Sequence, residues 1–232
     1  MNGAPLEPTL GLVRLLQLAS PALPIGAYSY SQGLESVVAQ GLVRDAATAK
    51  RWIGDMLELV IAPGEGAVLW RLLEAVAHRD WPLACDWNEW LRASRETAEL
   101  RAETEQMGAA LVKLAVDLDM LDAELRAAAS AMAPVALPAA FALAARGFGI
   151  PPRPAATAYL WSWLENQVLA AVKTVPLGQS AAQRLLVELG ARIPAALAIA
   201  CSIPDEDISS FAPGLALASS RHETQYTRLF RS

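Results

Sequence analysis

The chain has 232 residues, 54% of them hydrophobic, with 19 basic against 24 acidic side chains and a net charge of −5. That balance, with no basic stripe interleaved with aromatics, argues against nucleic acid or an anionic membrane surface as a partner. Alanine and leucine supply most of the apolar excess and β-branched residues are sparse. The expectation is therefore an all-α protein, a single-domain bundle of about ten helices over residues 1–232.

The N-terminal segment carries Glu7 and no Lys or Arg before its first apolar run, which Arg14 interrupts, so no secretory signal is expected. Next comes LASPALPIGAYSYSQGLE, residues 18–35, where Pro21, Pro24 and Gly26 interrupt a helical chain ahead of two tyrosines and three serines. Ser29 followed by Gln32 has the spacing of a capping box, which predicts a helix from about Tyr30 to Gly41 with Leu34, Val37 and Val38 facing inward. Rigid prolines and tyrosines also suit a docking surface, with Tyr28, Tyr30, Gln32 and Glu35 as its candidate residues.

Asp45 is expected to cap a helix carrying Trp52, Ile53, Met56, Leu57 and Val60, with Pro63-Gly64 as its stop and a further helix running to about His78. Asp80 before Trp81-Pro82 is another cap. Residues 94–118 read as one long helix, charged and solvated early and apolar late; Glu103 with Glu105, and Asp117 with Asp119, read as solvated carboxylates. Residues 127–145 carry no charge, but Pro134 and Pro138 would break a membrane-spanning helix, so two buried helix ends joined by a turn are expected.

Residues 155–175 are apolar around most of the helical circumference and should form a central helix. Its exceptions Ser162, Asn166 and Lys173 fall on one line, with Glu165 and Gln167 nearby. That stripe either reaches solvent or neighbouring backbone groups, or lines a polar passage or an interface. Ser180 with Gln183 repeats the capping-box spacing, and two short elements follow, separated by Pro194 and Pro204. In the tail, residues 219–232, His222, Tyr226 and Phe230 would align on a helix. Arg221, His222, Glu223, Tyr226, Arg228 and Phe230 there are candidate partner-binding residues, the alternative being a terminal helix packed on its own core.

Two histidines, His78 and His222, and no HExxH or Cys/His cluster leave no metal ligand set, and no phosphate-binding loop pattern occurs. Cys85 and Cys201 lack CxxC spacing and suit buried thiols in a reducing compartment, so the cytoplasm is the expected location. A serine hydrolase using Ser29 or Ser31 with one of the histidines is conceivable, but GxSxG is absent and helix initiation already accounts for both serines. No catalytic residue, metal site or cofactor is expected.

Four stretches together resemble the urease accessory protein F family: LLQLASPALPIGAYSYSQGLE (15–35), SRETAELRAETEQMG (94–108), AYLWSWLENQVLAAVKTVPLGQSAAQRLL (158–186) and LASSRHETQYTRLFRS (217–232). They cover nearly the whole chain in order. The resemblance implies an all-helical, non-enzymatic chaperone of nickel urease maturation that forms a homodimer. It further implies binding to urease accessory protein D/H and the accessory GTPase G, and delivery of nickel to the carbamylated-lysine site of apo-urease. A role centred on regulating hydrolysis by the GTPase is the alternative that the resemblance leaves open.

Overall fold

The computed structural model describes residues 7–232, and these contain twelve α-helices, one π segment, two 3-10 turns and no strand. Helix α1 (Pro8–Leu18) is capped by Glu7, whose carboxylate accepts from the Thr9 and Leu10 amides. It buries Leu18 and leaves Leu12, Val13 and Leu16 exposed. The segment after it turns through a 3-10 element, Ala27–Ser29, before α2 (Leu34–Ala39).

The capping box expected at Ser29 and Gln32 does not form. Tyr30 is extended, and Gln32 (φ 51°) and Gly33 (φ 79°) are left-handed, so no helix can start at Tyr30. Gly33 is required there twice over, because its φ is positive and a Cβ would lie 3.2 Å from that of Ala218. Leu34 and Val37 do face inward, while Val38 is only half-buried.

Asp45 caps α3 (Ala46–Met56) in a reciprocal box with Thr48, whose amide donates to the aspartate at 2.8 Å. Pro63-Gly64 was expected to stop the helix and does not. The chain widens instead into a π segment, Leu57–Glu65, and continues as α4 (Gly66–His78). A π turn bonds five residues back, so the missing proline N–H falls where the α ladder is already reset. The Gly66 amide bonds to the Ile61 carbonyl, and the Pro63 carbonyl accepts from Ser209.

Asp80 caps α5 (Trp81–Ala93) as expected, and Thr97 caps α6 (Ala98–Asp117). The uncharged stretch 127–145 is two helix ends, α7 (Ala123–Ala131) and α8 (Leu137–Gly147), joined by a turn. Asn88 holds that turn: its amide donates to the Met132 and Pro134 carbonyls and its oxygen accepts from Ala136 N–H at 2.8 Å. α8 sits at the centre between α4 and α6. Gly108 lets α6 lie against the chain leading into α8, since a Cβ there would fall 2.0 Å from the Val135 carbonyl oxygen.

The central helix is α9 (Pro152–Thr174), as its composition demands, packed on α4, α8 and α10 (Gln179–Gly190). Gly178, with no side chain to cap, stands at the N-terminus of α10, so the second expected capping box, at Ser180 and Gln183, is also absent. Residues 179–202 are long and apolar enough to span a membrane but divide at residues 191–192 into α10 and α11 (Ile193–Ser202), which pack on α9 and α4. After a 3-10 turn at Asp205–Asp207 comes α12 (Pro213–Glu223), and the chain leaves helical geometry for residues 224–232. The expected alignment of His222, Tyr226 and Phe230 on one helix is therefore lost.

Candidate functional site

Three stretches far apart in sequence meet in one place: the 19–35 segment, the polar stripe of α9 and the tail. The stripe binds backbone. Ser162 Oγ donates to the Ala19 carbonyl at 3.1 Å, Asn166 Nδ2 to Tyr30 at 3.1 Å and Lys173 Nζ to Tyr28 at 3.3 Å. These bonds satisfy neighbouring backbone groups, and Ser162 and Asn166 also line a cavity. Lys173 also stands between two rings, 5.8 Å from the centre of Tyr28 and 5.3 Å from that of Phe230.

The tail is held by carboxylates and by backbone. Glu35 accepts from the Leu229 and Phe230 amides at 2.7 and 2.9 Å and faces His222 Nε2 at 3.2 Å. The other imidazole nitrogen lies 2.7 Å from Glu99, which also accepts from Arg228 at 2.7 Å. Ser31 donates through both its amide and its hydroxyl to the Ser232 carbonyl, at 2.9 and 2.6 Å, and the Arg231 amide donates to Ser29. Ser232 Oγ in turn donates to Glu103 at 2.6 Å.

Glu103 leads inward. Its second oxygen accepts from Gln32 Nε2 at 2.7 Å, and Gln32 Oε1 accepts from the Trp163 indole at 2.7 Å. Behind it lies a second buried group in which the Glu65 carboxylate pairs with Arg95 and accepts from the Tyr159 hydroxyl. Burial pushes the Glu103 carboxyl up to about 7. Burial, followed by the neighbouring Glu65 charge, holds the Tyr159 hydroxyl well above its ordinary value. A cavity of about 120 Å³ opens between the 18–28 segment and α8 and α9, with Glu65 and Glu103 among its lining residues and Ser162 and Asn166 on its wall.

The candidate partner residues divide into two sets. Tyr28, Arg221, Glu223, Tyr226 and Arg228 are exposed, although Arg221 and Arg228 bond within the chain, to Gln40 and Glu99. Tyr30, Glu35, His222 and Phe230 are buried and Gln32 is half-buried. Within the chain the buried ones fasten the tail and the 19–35 segment to the core. The expected solvated pair Glu103 and Glu105 is corrected: Glu103 is buried, and Glu105 bonds to Arg92.

Neither serine considered as a nucleophile hydrogen-bonds to a histidine among the described residues. Ser31 is fully buried on Ser232, and His78 bonds to the Glu74 carbonyl on its own helix. Sequence reasoning missed Glu65, Arg95, Glu99 and Tyr159. One signal for the interior carboxylates was available: Glu103 occupies a position in the apolar stripe Leu100, Met107, Leu111 of α6, where a charge needs partners.

Comparison with known proteins places the chain in a family. A family model described as UreF matches residues 43–190. The urease accessory protein UreF of Azoarcus sp. (strain BH72) is 56% identical over 234 residues, covering 100% of both chains. That of Janthinobacterium sp. (strain Marseille) is 52% identical over 95% of this chain and 98% of its own. A bifunctional urease accessory protein UreEF of Bordetella bronchiseptica is 51% identical over 95% of this chain, which spans 52% of that longer protein. An all-helical chain matched by the family model and, from end to end, by a relative at that identity belongs to the UreF family of urease accessory proteins, and its role lies in urease maturation.

Proposed function

We propose that the chain acts without catalysis of its own, as a scaffold that brings accessory proteins together for nickel delivery into apo-urease. The observation that carries this reading is the seating of the tail. Its inner side is fixed by Glu35, Glu99 and Glu103, while Tyr226 and Leu229 stand exposed, and Tyr28 stands exposed beside the Lys173–Phe230 contact. Exposed tyrosine and leucine on a fixed backbone bind at low entropic cost. The UreEF relative joins two accessory functions in one chain, which supports work beside a second accessory protein.

On this reading the occupants of the surface are urease accessory protein D/H and the GTPase G. The chain works as a homodimer in the cytoplasm, and nickel is cargo, not a resident metal. The test is replacement of the gene in a urease-positive host by Tyr28→Ala and Tyr226→Ala variants, reading urease activity, urease nickel content and capture of the two partners. Loss of activity and nickel with urease protein still present, together with loss of capture, supports the scaffold. Normal capture and activation by the double variant would overturn it. Point variants are preferable to removing residues 219–232, because that deletion also strips Glu35, Glu99 and Glu103 of their tail donors.

A further inference from the structure

The cavity between the 18–28 segment and α9 combines apolar walls with an acidic end. Leu23, Ile25 and Leu169 contribute to the walls, Phe141, Tyr159 and Trp163 add aromatic rings, and Glu65 and Glu103 are its carboxylates. The two glutamates are not equivalent. Glu65 already has a cation, Arg95. The direct donors to Glu103 are neutral, the Gln32 amide and the Ser232 hydroxyl, so it forms no ion pair among the described residues. Each of its oxygens accepts one bond and retains a free lone pair.

We propose that this cavity is a binding site for a small organic ammonium ion, with the Glu103 carboxylate as counter-ion and the aromatic rings around its apolar body. Size sets the class: about 120 Å³ is somewhat smaller than the ~150 Å³ of a cavity that holds benzene, which admits a single ring or a short branched chain. Charge sets the sign, since a carboxylate lacking a bonded cation repels anions and attracts cations. A divalent metal does not fit, because among the described residues Glu65 and Glu103 are the only His, Cys, Asp or Glu side chains that line the cavity, and no group of three or more such side chains is placed to hold a metal ion.

Binding is linked to protonation. Glu103 is pushed up to about 7 by burial, with Glu65 also raising it and the Ser232 and Gln32 bonds and Arg95 opposing. Tyr30 and Tyr159, the other titratable groups that couple to it, stay neutral, their hydroxyls also raised by burial. An ammonium ion requires the ionised carboxylate, so it displaces a proton below neutral pH.

The experiment is titration calorimetry of the full chain with benzylammonium and, as a neutral isostere, benzyl alcohol. At pH 8 benzylammonium is expected to bind once per chain and at least about tenfold more tightly than the alcohol. Its affinity should fall about tenfold from pH 8 to pH 6, and heats in buffers of different ionisation enthalpy should report about one proton released per ligand at pH 6. Glu103→Gln should abolish the preference for the cation and retain the alcohol. If that variant does not fold, proton release by the unaltered chain decides. Equal affinity for the two ligands, cation binding without proton release, or no binding of either overturns the proposal.

Discussion

The two ends of α6 make opposite kinds of contact. Toward its C-terminus, Gly108, Leu111 and Ala115 press on α8 and the turn before it through apolar surface and a close backbone approach. Toward its N-terminus, Glu99 and Glu103 receive His222, Arg228, Gln32 and Ser232 through hydrogen bonds. The first contact depends on shape, the second on matching each buried acceptor with a donor. A shape contact fails when an atom is added; an acceptor seam fails when a partner is removed.

The largest effect is expected from Gly108→Val. A side chain there runs into the Val135 carbonyl, 2.0 Å from the nearest Cβ position, and should lower stability by about 3 kcal/mol in urea unfolding, with the tail and the core failing together. Glu35→Ala should act differently. It strips the Leu229 and Phe230 amides and His222 of an acceptor, at about 2 to 3 kcal/mol, and the tail can relieve that by detaching. Hydrogen exchange should show residues 229–231 losing protection while α8 keeps it. Loss of protection throughout would mean that the two contacts are one cooperative unit.

Glu103→Gln gives a pH signature. In the folded chain the carboxyl titrates at about 7 against an ordinary 4.5, so its stabilising contribution is full below 4.5 and is lost as pH rises to 7. Between pH 5 and 8 the unaltered chain should lose on the order of 2 kcal/mol more stability than the variant, read by urea unfolding at both pH values. Ser31→Ala removes a hydroxyl that bonds to Ser232 and should weaken tail protection by about 1 kcal/mol. Smallest is Tyr226→Ala, fully exposed, which should leave stability within about 0.5 kcal/mol while testing the outward surface.

The apolar contacts were largely readable from the chain and the polar seam was not, for a reason of range. The caps at Asp45 and Asp80 are settled within three residues, and the buried circumference of α9 follows from its own period. Ser29-x-x-Gln32 has the same local pattern as a true cap. Its glutamine is taken by Trp163 and Glu103, 131 and 71 residues away, and its backbone is left-handed. The tail reads as helix until the Leu229 and Phe230 amides are claimed by Glu35, 194 and 195 residues distant. Of the candidate site, the 19–35 segment, the stripe and the tail were each visible as unusual, but no local pattern said that they touch.

The π segment has a consequence for what this chain can lose or gain in length. One residue of helix corresponds to a rotation of about 100°. Winding the same residues of Leu57–Glu65 as an ordinary α ladder, without the wider π turn, would turn everything downstream by about that angle. Leu69, Leu72 and Val76 then swing away from the core, and Glu65 swings away from Arg95 and Tyr159. Residues 57–65 thus act as a phase-setter: the wide turn absorbs one residue that an α ladder would pass on as rotation.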